Sequence, residues 1–431
     1  MREVTAIIIG AGDRGLGYAE FGVKNPGQMK IVGVAEPRKD RREKVAAWYN
    51  IPEDMCFDDY NPLLAKGKVA DMAIIATQDN MHYDPTMRAI DLGYDILLEK
   101  PIAPTLDECI EIAKAADDKG VIFSLCYVLR YTQFYRKIKE IIDSGKIGRL
   151  INIQHIENIG FWHYVHAFVR GHWRNSEESC PMILAKCCHD MDILNYLVGA
   201  NPAKVSSFGD LTYFKEENAP AGSTDRCTDN CELRDGCPYS AARLYLREEN
   251  PENVGWPADV VTPDKTLEGR IKALETGRYG KCAWRSDNNV ADNQVCVMNY
   301  ENGVNVSFTA SAFSRHISRE TKVMGSHGEI VGHLGEDGAI IDLSEFKQFN
   351  FAGAVGAQAA KERVMSIRVE DMHGHGGGDM VLMKDFVDLV RDRDPALISA
   401  AKNTIMSHVL AFAAEKSRLE NRVVNIDEYD I

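Results

Sequence analysis

The sequence predicts an α/β domain built on a doubly wound parallel sheet, followed by an α+β domain with a large open, mainly antiparallel sheet flanked by helices. Three observations carry this expectation. Short apolar runs alternate with helical spacing over about the first 125 residues, the pattern of a parallel sheet covered on both faces. A glycine-rich turn follows the first of those runs. From Gln294 onward, runs of alternating polarity separated by turn signals read as antiparallel strands buried on one face.

Taken in order, Val4–Ile9, Ile31–Ala35, Met72–Ala76, Asp95–Leu98 and Val121–Leu125 read as buried strands, each followed by helical spacing. A further strand, Leu150–Glu157, leads into an aromatic and histidine-rich loop (Phe161–Trp173) and a long helix, Met182–Leu197. The antiparallel runs are Gln294–Tyr300, Val304–Ala312, Glu320–Met324 and Glu329–His333, with turns at Glu301-Asn302-Gly303 and Ser326-His327-Gly328. Residues 213–285 are polar and irregular and read as a surface insertion. Two helices, Asp379–Arg391 and Ala400–Glu420, close the chain. The expected division is a dinucleotide-binding domain over 1–125 and a substrate-binding and oligomerisation domain over 126–431.

Of the 431 residues, 50 are Lys or Arg and 64 Asp or Glu, a formal charge of −14 that argues against a nucleic-acid partner. No apolar run approaches the roughly 20 residues of a membrane helix, and the N-terminus lacks a signal-peptide pattern. Eleven cysteines without a regular framework suit a reducing compartment, so a cytoplasmic protein is expected.

Gly10-Ala11-Gly12-Asp13-Arg14-Gly15 is a G-x-G-x-x-G turn between a strand and a helix, where backbone N–H groups can receive a pyrophosphate. The second strand ends at Glu36, an acid placed to hold a ribose diol. The candidate cofactor residues are Gly10, Gly12, Asp13, Arg14, Gly15, Glu36, Arg38, Thr77, Gln78, His82, Glu99 and Lys100. Glu36 favours NAD by repelling a 2′-phosphate, while Arg38 and Lys39 leave NADP possible.

The fifth strand ends Leu97-Leu98-Glu99-Lys100-Pro101. With the glycine turn, this Glu-Lys-Pro resembles the Gfo/Idh/MocA oxidoreductases, and the resemblance extends over nearly the whole chain, including the Gly325-Ser326-His327-Gly328-Glu329-Ile330 turn. It implies that Lys100 lies beside the nicotinamide and the substrate hydroxyl, followed by a proline that is often cis. It also implies a catalytic role for His189, which with Asp192 forms the H-x-x-D of the family's helix. Many members carry an Asp four residues before that histidine, but here the position is Ala185, with Lys186 one residue later. Either His189 works with Lys100 alone, or Lys186 takes part of the acid–base role.

Such groups suit oxidation of a secondary alcohol: an imidazole takes the hydroxyl proton and an ammonium stabilises the developing alkoxide. Arg130, Tyr131, Trp162, His163, His166, Arg170, Arg174, Asp287, Asn288 and His375 are the candidates for the substrate pocket. His373-Gly374-His375 is weak as a metal motif, and no metal site is assigned. Cys227, Cys231 and Cys237 supply only three of the four ligands that structural zinc wants, which leaves metal binding there open. The reading is an NAD-dependent dehydrogenase acting on a ring hydroxyl of a sugar, cyclitol or sugar derivative. Some members of the family instead oxidise a sugar transiently, eliminate a glycosidic substituent and reduce the ring again, which is the alternative. A non-catalytic NAD-binding regulator is a third reading, against which Lys100, Lys186 and His189 argue. Relatives often form dimers or tetramers, so a homo-oligomer is expected.

Overall fold

Strands β1 (Val4–Ile9), β2 (Met29–Ala35), β3 (Cys56–Phe57), β4 (Met72–Ile75), β5 (Asp95–Leu98) and β6 (Phe123–Leu125) form a wholly parallel sheet. Their order is β3-β2-β1-β4-β5-β6, which puts a switch point between β1 and β4. In this computed structural model, which describes residues 2–346, 360–368, 375–395 and 401–430, the apolar runs of β1, β4 and β5 are buried on both faces. The two-residue β3 was not expected; Cys56 and Phe57 are too short a run to show periodicity.

The second sheet contains β7 (Leu150–Asn158), β8 (Pro202–Asp210), β9 (Asn293–Tyr300), β10 (Asn305–Ser311), β11 (Ser318–Gly325), β12 (Gly328–Gly335), β13 (Gly338–Glu345), β14 (Ala360–Ile367) and β15 (Val424–Asn425). Their order is β14-β13-β12-β11-β7-β10-β9-β8-β15. The expected meander is therefore interrupted: β7 enters between β10 and β11, parallel to the first and antiparallel to the second. Strands β8, β13, β14 and β15 were not foreseen. In β8, the polar sequence Ser206-Ser207 and Gly209 hide the alternation that buries Val205 and Ser207.

One face of this sheet packs on helices, including Met406–Glu420 against β8. The other leaves Phe208, Val295, Val297 and Val331 exposed. The expected continuous helix Met182–Leu197 is two pieces, Met182–Ala185 and Cys188–Val198, broken at Lys186–Cys187. The final expected helix is likewise split, into Ala401–Thr404 and Met406–Glu420.

Helix Gly378–Asp392, late in the chain, packs on the first sheet rather than the second. Its Leu382, Met383, Phe386, Val387 and Val390 share a core with Val4, Ala6, Ile8 and Tyr18. The insertion has a small core of its own around Tyr245, Leu246 and Leu274. Among the described residues no helix is long and apolar enough to cross a membrane.

Candidate active site

The glycine turn is built for close approach. Gly10 has φ +88°, and a Cβ there would lie 2.6 Å from the Ala76 carbonyl oxygen; a Cβ on Gly15 would lie 2.1 Å from the Gly10 carbonyl oxygen. Gly12 caps helix Asp13–Lys24 with no side-chain hydrogen bond, so the helix N-terminus is open to an anion. Glu36 is buried at the end of β2 and accepts hydrogen bonds from the backbone of Ala11 at 2.7 Å and Arg38 at 2.9 Å. The Arg38 guanidinium is turned onto Asp40. Thr77 and Gln78 follow β4 on the same rim, half-buried and exposed respectively, and exposed Asp13 faces Arg41 at 3.4 Å. This uncapped helix end, glycine turn and strand-end acid fit a dinucleotide.

Arg14 has another occupation. Its guanidinium is held by Glu99 at 2.7 Å and by Asp379 at 2.8 and 3.0 Å, stacked 4.7 Å from the Tyr18 ring. Glu99 also accepts from Tyr18 at 2.5 Å and from the Lys100 backbone at 2.8 Å. Burial pushes the Glu99 carboxyl up, but Arg14 and Lys100 outweigh it and hold it below the usual glutamate value. Arg14 and Glu99 thus brace the end of β5.

Lys100 precedes a cis peptide to Pro101. Its Nζ donates to the Ala185 carbonyl at 3.0 Å and lies 5.7 Å from the Trp173 ring. An unbroken helix would engage that carbonyl internally; here the helix stops and presents it to Lys100. His82 bridges the neighbouring turns, its ring nitrogens 2.8 Å from the Pro101 carbonyl and 3.2 Å from that of Thr77. Burial pushes His82 below the usual histidine value.

Behind the broken helix lies a buried ionic network. The register of β7 and β11 sets Arg319 opposite Glu157 and Thr321 opposite His155, all on the inner face. Lys186 reaches Glu157 at 3.1 Å, Arg319 reaches Glu157 at 2.9 Å and Asp190 at 2.7 Å, and His155 pairs with Asp190 at 2.9 Å. Burial raises the Glu157 carboxyl, with Arg319 and Lys186 opposing. His189 is buried on the same helix, edge-on to Tyr127 with ring centroids 6.2 Å apart.

The aromatic loop forms a wall. Trp162, His163 and His166 all pack on Trp256 from the insertion, at centroid distances of 5.2, 5.4 and 5.4 Å. Burial, then the nearby Lys186, His166 and Lys100, push His163 far below the ordinary histidine range, leaving a neutral base beside both lysines.

Other expected pocket residues lie elsewhere or are engaged. Arg130 makes a two-pronged pair with Asp192 at 2.5 and 2.6 Å, and half-buried Tyr131 stacks under Arg136. Arg174 pairs with Asp287 and Glu178, and Asn288 donates to the Phe214 carbonyl. Arg170 is buried against the insertion, donating to the carbonyls of Lys281 and Tyr239, both at 2.7 Å. His373 and the side chain of His375 lie outside the described residues.

Two pairs escaped the sequence reading. Buried Asp79, one residue after Gln78, accepts from His172 at 2.8 Å and Ser179 at 2.5 Å; burial opposes these bonds, which nonetheless pull its carboxyl down to about 2. Its place just beyond a β4 strand end was the available signal. The second pair, Tyr127 and His408, is separated by 281 positions and had none. The Ile102 N–H donates to His408 Nε2 at 2.9 Å, so the neutral ring holds its proton on Nδ1 and gives it to the Tyr127 oxygen at 2.6 Å.

Burial pushes His408 down to about 3 and His166 to about 4, from 6.5. Both are depressed, so the stability they contribute is complete above about pH 6.5. As pH falls below that, the unfolded chain takes up protons that the native state refuses. Stability should then drop by up to about 1.4 kcal/mol per pH unit for each ring. Urea midpoints at about pH 7 and pH 5 test this; an unchanged midpoint would overturn it.

The fold and the glycine-turn site define an oxidoreductase of the NAD-binding Rossmann class. Residues 4–127 match the family described as "Oxidoreductase family, NAD-binding Rossmann fold", and residues 139–426 match its "C-terminal alpha/beta domain". The chain belongs to the Gfo/Idh/MocA family. The Bacillus subtilis oxidoreductase YteT is 24% identical over 82% of this chain and 79% of its own length. The B. subtilis scyllo-inositol 2-dehydrogenase (NAD(+)) is 30% identical over 48% of this chain and 57% of its own length. The 2,7-anhydro-N-acetylneuraminate hydratase of Mediterraneibacter gnavus is 27% identical over 48% of this chain and 53% of its own length. Among solved structures, a levoglucosan dehydrogenase in complex with NADH and L-sorbose shares the fold with a TM-score of 0.67 and 17% identity, over 99% of each chain.

Proposed function

We propose that the protein transfers a hydride between a ring secondary alcohol of a sugar or cyclitol and NAD. The observation that carries this reading is the meeting of Lys100, from the end of β5, with the broken helix that bears Lys186 and His189. The nicotinamide, when bound, supplies the hydride acceptor or donor. The chain supplies the rest. Lys100 stabilises the developing alkoxide, and an imidazole, that of His189 or His163, takes the hydroxyl proton. Glu157 holds Lys186 at the rim as a cation, and the Trp162–Trp256 wall offers apolar faces to a ring. The scyllo-inositol and levoglucosan dehydrogenases support a carbohydrate-like substrate.

A second reading is redox-neutral: transient oxidation of the ring, elimination of a substituent, then reduction. It is favoured by Ala185 standing where an orienting carboxylate is usual and by the likeness to the hydratase. Enzyme stoichiometric with NAD, mixed with sugars, cyclitols and glycosides, separates the two. A reduced-nicotinamide band that accumulates under excess NAD supports the dehydrogenase; one that rises and decays as a leaving group appears supports the redox-neutral route. No band with any ligand, despite NAD binding, would sink both.

Glu36 is assigned to the adenosine ribose, and its position supports NAD over NADP. Glu36→Ala should weaken NAD binding about tenfold or more and narrow the preference for NAD over NADP, since a charged hydrogen-bond acceptor is lost. Titration of dinucleotide-dependent fluorescence reads both; unchanged NAD affinity would remove Glu36 from the site. The exposed apolar face carrying Phe208, Val295 and Val297 is the one we assign to a second copy of the chain.

A further inference from the structure

The insertion contains a feature that the proposed chemistry does not use. Cys227, Cys231, Cys237 and Cys282 line one small cavity with Arg170. Three of these cysteines lie within one short stretch, and the fourth is brought from 45 positions beyond Cys237 by local pairing. Arg226 bridges Lys281, the Cys227 N–H donates to Gly280 at 3.0 Å, and the Cys282 N–H donates to Asp225 at 2.8 Å. That short antiparallel contact sets Cys227 and Cys282 on one face, diagonally across the pair.

The electrostatics of the cavity are unbalanced. Arg170 is 1% exposed, and among the described residues its partners are carbonyl oxygens and a sulfur, with no carboxylate. Its Nε and one terminal nitrogen bond carbonyl oxygens, that same nitrogen approaches the Cys227 sulfur at 3.9 Å, and Nη1 is buried with no hydrogen-bond partner. A buried guanidinium without an anion is costly. The Cys227 sulfur also receives the Ala241 N–H at 3.4 Å. Both donors point at a sulfur, the arrangement that steadies a thiolate.

We propose that these four cysteines bind one thiophilic divalent cation, zinc, as a structural centre of the insertion. Four thiols would release four protons to solvent, and the resulting tetrathiolate around a +2 ion carries a net charge of −2, half of which Arg170 offsets. The thiols are not already drawn in: among the described residues no group of three or more His, Cys, Asp or Glu side chains stands ready to hold a metal. Cysteine sulfurs swing between staggered positions, and the ion closes the site as it binds. The cis Trp256–Pro257 segment of the same insertion packs on Trp162, His163 and His166, so the centre would steady the wall of the candidate active site.

The test is elemental analysis of the full-length protein purified without chelators and after incubation with zinc. One zinc per chain is expected, falling to a small fraction in Cys237→Ser and in Cys282→Ser but kept in Cys56→Ser, whose thiol lies in the parallel-sheet region. Should the serine variants fail to fold, cobalt substitution of the wild-type chain gives a second reading: intense thiolate-to-cobalt absorption with the visible bands of a tetrahedral ion supports the site. Absence of stoichiometric metal under all these conditions would overturn it, as would zinc retained in both serine variants. Iron accompanied by acid-labile sulfide would also overturn it, in favour of a cluster.

Discussion

Lys100→Met should lower turnover by at least about 10²–10³-fold, the loss seen when a single electrostatic donor to a developing oxyanion is removed. The substitution keeps an unbranched apolar side chain of nearly the same length while deleting the ammonium, which lies 5.7 Å from the Trp173 ring. Arg14, Glu99 and the glycine turn do not depend on that ammonium for their main contacts, so NAD affinity should stay within a few-fold. Single-turnover absorbance and dinucleotide fluorescence together read the outcome. Full turnover in the variant would end the catalytic assignment, and loss of NAD binding along with turnover would reassign Lys100 to the cofactor.

Arg319→Met is expected to cost the fold about 3–5 kcal/mol, because it leaves a buried carboxylate without its main partner. Glu157 would retain only Lys186, and Asp190 only His155. Burial already raises the Glu157 carboxyl with Arg319 in place, so the orphaned group should bind a proton, and Lys186 would lose its anchor. Chemical denaturation measures the loss. Adding Glu157→Gln to the arginine variant should recover part of it, since a neutral amide then replaces a carboxyl that must take up a proton to stay buried. A loss below about 1 kcal/mol would mean that the network is solvated and worth no more than a surface pair.

The parallel sheet was legible because its strands are buried on both faces and therefore read as unbroken apolar runs. Both Val4–Ile9 and Asp95–Leu98 were placed to the residue. The second sheet was partly legible. Strand β7 shows Ile153, His155 and Glu157 on one alternating face, but two of these are polar, which conceals that this is the buried side. The break at Lys186–Cys187 had no local signal, as neither Gly nor Pro marks it. It is set by tertiary partners, Glu157 for Lys186 and Lys100 for the Ala185 carbonyl. Arg170 and Arg130 show what the sequence could not reveal about an arginine's partners. An arginine near a helix bearing candidate acid–base residues suggests a substrate anion, whereas the partners the structure shows, two backbone carbonyls and Asp192, come from segments that only folding brings near.

The packing of Gly378–Asp392 against the first sheet bears on how the chain is made. Val4, Ala6 and Tyr18 are translated more than 360 residues ahead of the side chains that cover them, Leu382, Phe386 and Val390. Asp379 completes the clasp on Arg14 only then. The nucleotide-binding domain therefore waits, with one apolar flank bare, until that helix has been made, in the condition that invites capture by chaperones or premature association. A message truncated before residue 378 would cost more than the helices that follow: it would deny the parallel sheet one of its walls.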